Sequence, residues 1–133
     1  MVIYTITKGY VYCVLRWIPA LFIISVSWYL SSQNRIESIT IFQNVDKLIH
    51  LVCFAGLAFW VAFGFNVHEY KKVWLPTLFV VVYGVIDELH QSFVPGRTMS
   101  VYDLIFDIVG ALLGCLVYAW VYKKLFKSSI CKK

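Results

Sequence analysis

The chain has 133 residues, of which 61% are hydrophobic and only 14% charged, and its mean hydropathy is +0.76. Soluble domains carry about a quarter charged residues, so this deficit, spread along the whole length, indicates one integral membrane domain over residues 1–133 with no room for a second. The net charge of +5 does not mark a nucleic-acid surface, because the basic residues gather at Lys8/Arg16, Lys71/Lys72 and Lys123 to Lys133, each beside an apolar run. That is the juxtamembrane pattern of cytoplasmic flanks.

The first span is expected over about 11–30, long enough to cross a hydrocarbon core. No small-residue cleavage site precedes it, so it is expected to be retained. Arg16 can snorkel to the headgroups, Pro19 is tolerable if a neighbouring helix satisfies the freed carbonyl, and Trp28 and Tyr29 mark the far interface. Ser31 to Val45 reads as a polar loop, with Ile39 to Phe42 able to lie on the membrane surface.

The second span is expected over about 46–65, with Asn44 or Asp46 as its cap. A short basic turn, Asn66 to Lys72, leads to a third span over about 73–91, with Pro76 in its first turns where proline disrupts least. A Pro-Gly loop, Ser92 to Met99, precedes a fourth span over about 101–122, and Ser100-x-x-Asp103 fits a capping box. Cys13, Cys53 and Cys115 fall inside these apolar runs without metal-finger spacing and read as small apolar fillers. The expected fold is all-α: an antiparallel integral membrane bundle of four transmembrane helices.

Four spans put both termini and the Asn66–Lys72 turn on one side. That side holds Lys8, Arg16, Lys71, Lys72, Lys123, Lys124, Lys127, Lys132 and Lys133, against Arg35, Lys47 and Arg97 on the other. The imbalance predicts a multi-pass cell-membrane protein with cytoplasmic termini. Most acids lie toward the opposite face, which an extracytoplasmic functional site would explain.

Ionisable groups inside apolar sequence are costly and therefore informative. At about 100° per residue, Asp46 and His50 share a stripe, as do Gly84, Glu88 and Gln91 on the third span. Asp103, Asp107, Gly110 and Gly114 share one on the fourth. Gly110-x-x-x-Gly114 is a close-packing motif, so the acid stripe is expected to face the bundle interior. The site candidates are Asp46, His50, Glu88, Gln91, Arg97, Asp103 and Asp107, with Lys47 and Arg97 as anion binders. Asp103 has a competing role in the capping box, and His50 could be an ordinary core histidine. Asp87 and His90 read as exposed at the helix end, and His68 and Glu69 as a plain turn.

Asp46-Lys-x-x-His50, Tyr83-Gly-x-x-x-Glu88-x-x-Gln91, Pro95-x-Arg97 and Asp103-x-x-x-Asp107-x-x-Gly110, with Ser31-Ser32-Gln33 after the first span, together resemble the VanZ-like family. The resemblance covers about Trp28 to Gly114. It implies a small multi-pass membrane protein and a link, through the member that names the family, to teicoplanin (glycopeptide) resistance. Asp107 departs from it, since the family frequently has asparagine there.

Three functions are compatible with these residues. The first is binding of a polar headgroup, a lipid-linked cell-wall precursor or a glycopeptide, with Lys47, Arg97 and two helix N-termini suiting an anion. The second is a membrane enzyme in which Asp46 orients His50 as base and Glu88 acts as acid or as a divalent-metal ligand with Asp103 and Asp107. The third, a proton or ion pathway, is disfavoured by the apolar inner halves of the spans.

Overall fold

Each apolar stretch long enough to cross a hydrocarbon core becomes a helix. The computed structural model describes residues 11–33 and 43–127, the side chains of 43–46 and 126–127 excepted. Helix α1 is Ile18–Ser31, α2 is Gln43–Gly64, α3 is Trp74–Gln91 and α4 is Val101–Tyr122. A 3-10 turn at Tyr70–Lys72 leads into α3, and a π turn at Lys123–Lys127 follows α4. No strand occurs among the described residues. Val11–Ser31, Lys47–Gly64, Tyr70–Gln91 and Val101–Leu125 are long and apolar enough to span a membrane, so the chain is an all-α, multi-span membrane protein.

The first span is not one unbroken helix. Residues 11–15 are helical, Arg16 and Trp17 form a turn, and α1 restarts at Ile18. Pro19 is the cause: it lacks an N–H and crowds the carbonyl four residues back, so it sits at the start of the new helix, where no N–H is required. Arg16 does not simply snorkel; its guanidinium donates to Asn66 Oδ1 and lies 4.6 Å from the centre of the Phe63 ring. Asn66 closes α2 in the left-handed conformation, φ 55°.

The central contact is α2 against α4, with α3 and α1 packed around it. It is close because two α4 residues lack a side chain. A Cβ on Gly110 would come within 2.5 Å of Leu51 O, and one on Gly114 would overlap the Ala55 carbonyl. Small residues let helix backbones approach in this way where no hydrophobic force between helices is available. The core is correspondingly small-residue rich: Ala58, Ala62, Ala111 and Ala119 are buried with Leu57, Val61 and Val80. Large apolar side chains such as Phe22, Val52, Val82 and Leu113 point outward, while Asp87, Glu88, Gln91 and Asp107 point inward. A soluble bundle would have the reverse; lipid accounts for this one.

The chain reverses direction sharply after α3. Pro95 and Gly96, the latter at φ 78°, turn the loop so that Arg97 reaches back across the helix ends. The Asn44/Asp46 cap is corrected: both residues already have helical backbone, so neither precedes α2. The Ile39–Phe42 patch lies outside the described residues.

Candidate functional site

The α2–α4 contact fixes the site, because Asp107 lies one turn from Gly110 on the face that meets α2. Its partner there is His50, whose Nδ1 is 3.0 Å from Asp107 Oδ1. With Asp107 ionised, the carboxylate accepts and His50 Nδ1 carries the proton of this bond. On the third side Gly84 makes the room: a Cβ there would stand 3.3 Å from Asp107 Oδ2 and 3.1 Å from the Phe54 ring.

Glu88 joins from α3. Its Oε2 accepts the backbone N–H of Ser100 at 2.8 Å, and Ser100 Oγ in turn accepts the N–H of Asp103 at 3.2 Å. Only half of the expected capping box is therefore made locally. The reciprocal acceptor is Glu88, from another helix, not Asp103. This places a carboxylate at the positive end of α4 and ties the end of α3 to the start of α4.

Ligand atoms of His50, Glu88 and Asp107 all lie within 4.8 Å of one another. Glu88 and Asp107 are fully buried, yet Glu88 Oε1 and Asp107 Oδ2 have no hydrogen-bond partner among the described residues. An uncompensated buried ion costs several kcal/mol. Three helices therefore hold acceptors that call for a proton, a donor group or a cation.

A second polar chain runs beside the first. Gln91 Nε2 donates to Asp87 Oδ2 at 2.9 Å, and Arg97 Nη1 donates to Gln91 Oε1 at 3.0 Å. Arg97 Nη2 and Nε donate to Leu30 O and Gln33 O, each at 3.1 Å. Arg97 thus clamps the α3–α4 loop onto the end of α1. Asp87 is 1% exposed, and its Oδ1 is also unpartnered. Ser27, Leu30, Ile49, His50, Asp87 and Arg97 are among the residues lining a cavity of about 90 Å³ between α1, α2 and α3. That is room for about three water molecules.

His50, Glu88 and Asp107 come together, and Gln91 and Arg97 lie beside them with the buried Asp87. Asp103 is half-buried at the edge, and the Asp46 side chain lies outside the described residues. Lys47 sits with its Nζ 5.4 Å from the Tyr102 ring centre, a cation–π distance.

Two expectations fail. Asp87 is buried, not exposed, because the returning loop and α1 cover the end of α3. His90 is half-buried, its Nε2 3.3 Å from Ser32 Oγ and its ring 4.1 Å from that of Trp28. A signal for Asp87 was available: Gln91 lies four residues on, at hydrogen-bonding distance along a helix. Nothing local marked Ser32 or Trp28.

A VanZ/LLP1 family model matches residues 3–122, nearly the whole chain. No curated protein gives a significant match, and neither does any solved structure. With four membrane-length helices and this family match, the chain belongs to the VanZ/LLP1 family and is a membrane protein within it.

Proposed function

We propose that the chain binds the polar headgroup of an envelope lipid or lipid-linked cell-wall precursor at this site, from the extracytoplasmic side of the cell membrane. The observation that carries this is the cavity in which His50, Asp87 and Arg97, from separate stretches of chain, meet. One side is acceptor-rich through Asp87, the other carries a guanidinium, so the favoured ligand brings hydroxyl or amine donors as well as an anionic oxygen. Arg97 spends three N–H groups on the protein, out of about five that it has. A cavity of about 90 Å³ suits a single phosphate-sized group and not a whole sugar or glycopeptide. Any link to teicoplanin resistance would then run through a precursor headgroup.

The test is binding of short-chain probes to the purified protein in neutral-lipid nanodiscs: a pyrophosphate-linked amino sugar, phosphatidylglycerol and teicoplanin. The amino sugar probe should bind saturably, and Asp87→Asn and Arg97→Lys should each weaken it about tenfold, equivalent to about 1.4 kcal/mol. Binding indifferent to both substitutions, or no saturable binding, would refute the proposal.

A second function is favoured by the His50–Asp107 bond. A carboxylate that orients an imidazole raises its basicity, so His50 is the residue to act as general base if the headgroup is hydrolysed. Product release abolished by His50→Gln with probe binding retained would support catalysis; no turnover by the wild type would end it.

A further inference from the structure

We propose that His50, Glu88 and Asp107 form a divalent-cation site inside the bundle, one that takes Zn²⁺ or Mn²⁺. It rests on the headgroup-binding proposal in one respect, that His50 is shared with the cavity lining.

The geometry comes first. One side chain from each of α2, α3 and α4 brings a ligand atom to within 4.8 Å of the other two. A cation with bonds of about 2.0–2.2 Å holds its ligands roughly 3–4 Å apart, which small side-chain rotations reach from here. The second observation is independent of that clustering: Glu88 Oε1 and Asp107 Oδ2 are buried and unpartnered, on residues with no exposure at all.

The His50–Asp107 contact joins two of the proposed ligands, so a cation would take the place of the proton between them. Glu88 is already oriented, its other oxygen held by the Ser100 N–H. Ligands fixed by outer hydrogen bonds are the usual arrangement around a protein-bound metal.

Charge balance points the same way. Asp87, Glu88 and Asp107 bury three carboxylates at one end of the bundle. Arg97 gives three N–H groups to Gln91 and two backbone carbonyls and bonds none of the three acids directly, and Lys47 lies against Tyr102. A divalent ion would neutralise what these cations leave.

The donor set selects among ions. Two carboxylates with one imidazole match neither an all-oxygen calcium cage nor a thiolate site, and suit zinc or manganese. Three protein ligands leave coordination positions for an outside oxygen, such as one on a headgroup phosphate. A cation there would also remove the repulsion that an anionic group otherwise meets beside these acids.

The experiment uses the full chain in nanodiscs, stripped with EDTA, dialysed and titrated with ZnCl₂, MnCl₂ and, as a spectroscopic probe, CoCl₂. The wild type should bind one ion per chain, with Co²⁺ visible bands. Glu88→Gln and Asp107→Asn should each weaken binding at least a hundredfold and remove those bands. Both are isosteric, and glutamine can still accept from Ser100, so helix content and thermal unfolding should show both variants folded. His68→Ala, at an exposed histidine stacked on Tyr122, should bind like the wild type.

Wild-type binding no tighter than that of the Glu88→Gln/Asp107→Asn double variant would overturn the site. Headgroup-probe binding is measured separately on stripped and loaded protein. Metal without probe binding keeps the cation site and refutes the headgroup proposal; probe without metal binding does the reverse.

Discussion

The α2–α4 contact offers a test in which one substitution should have opposite effects at two positions. In Gly110→Ala the new Cβ would lie 2.5 Å from Leu51 O, whereas ordinary contact begins at 3.4 Å, so the helices must part by about 0.9 Å there. The obstacle is backbone, which cannot rotate aside. Overpacking of this kind typically costs about 1–3 kcal/mol. Gly56→Ala, on the same helix pair, meets no heavy atom within 4 Å and gains about 0.5–1 kcal/mol from alanine's better helix propensity. Equilibrium unfolding in mixed micelles, followed by circular dichroism, should separate the two by at least 1.5 kcal/mol. Because Gly110 lies one turn from Asp107, Gly110→Ala should also weaken ligand binding by spoiling the His50–Asp107 bond. If Gly110→Ala proved as stable as Gly56→Ala, the α2–α4 packing would be wrong, and with it the position of Asp107.

Glu88 is expected to have separable structural and functional roles. Glu88→Ala removes the acceptor for the Ser100 N–H and should cost about 0.5–2 kcal/mol, the range for losing a helix cap; Glu88→Gln should cost much less, and chemical denaturation of the pair checks it. The orientation is tested by single cysteines in a cysteine-free background. Phe93→Cys, in the exposed α3–α4 loop, should react with a membrane-impermeant maleimide on intact cells, and His68→Cys only after permeabilisation. The reverse pattern would turn the protein over and put the site on the cytoplasmic side.

The helices were legible because twenty-residue apolar runs have few other uses, and Ser92 to Met99 announced its turn through Pro95 and Gly96. Within the site, local spacing carried only part of the information. Asp46 and His50, four residues apart, were the visible pair; the bond of His50 to Asp107, 57 positions later, was not visible. Sequence gives the face of a helix and not what the facing helix presents there. Glu88 accepting from Ser100 escaped for the same reason: the capping signal is local, while the acceptor came from the neighbouring helix. The break at Arg16–Trp17 was within reach, since Pro19 alone requires it. Asp87 was misjudged because nearness to a loop suggested water, whereas Arg97 folds that loop over it. Gly84 is buried with its expected companions Glu88 and Gln91 and also leaves space for Asp107.

The central claim is that α2, α3 and α4 bring their polar side chains to one point, with His50 bonded to Asp107 as its core. A double-mutant cycle of His50→Ala and Asp107→Ala, each of which removes the bond outright, read by equilibrium unfolding in micelles, measures that directly. A buried hydrogen bond to a charged partner predicts coupling of about 1.5–3 kcal/mol. Additive effects, with coupling below about 0.5 kcal/mol, would contradict it.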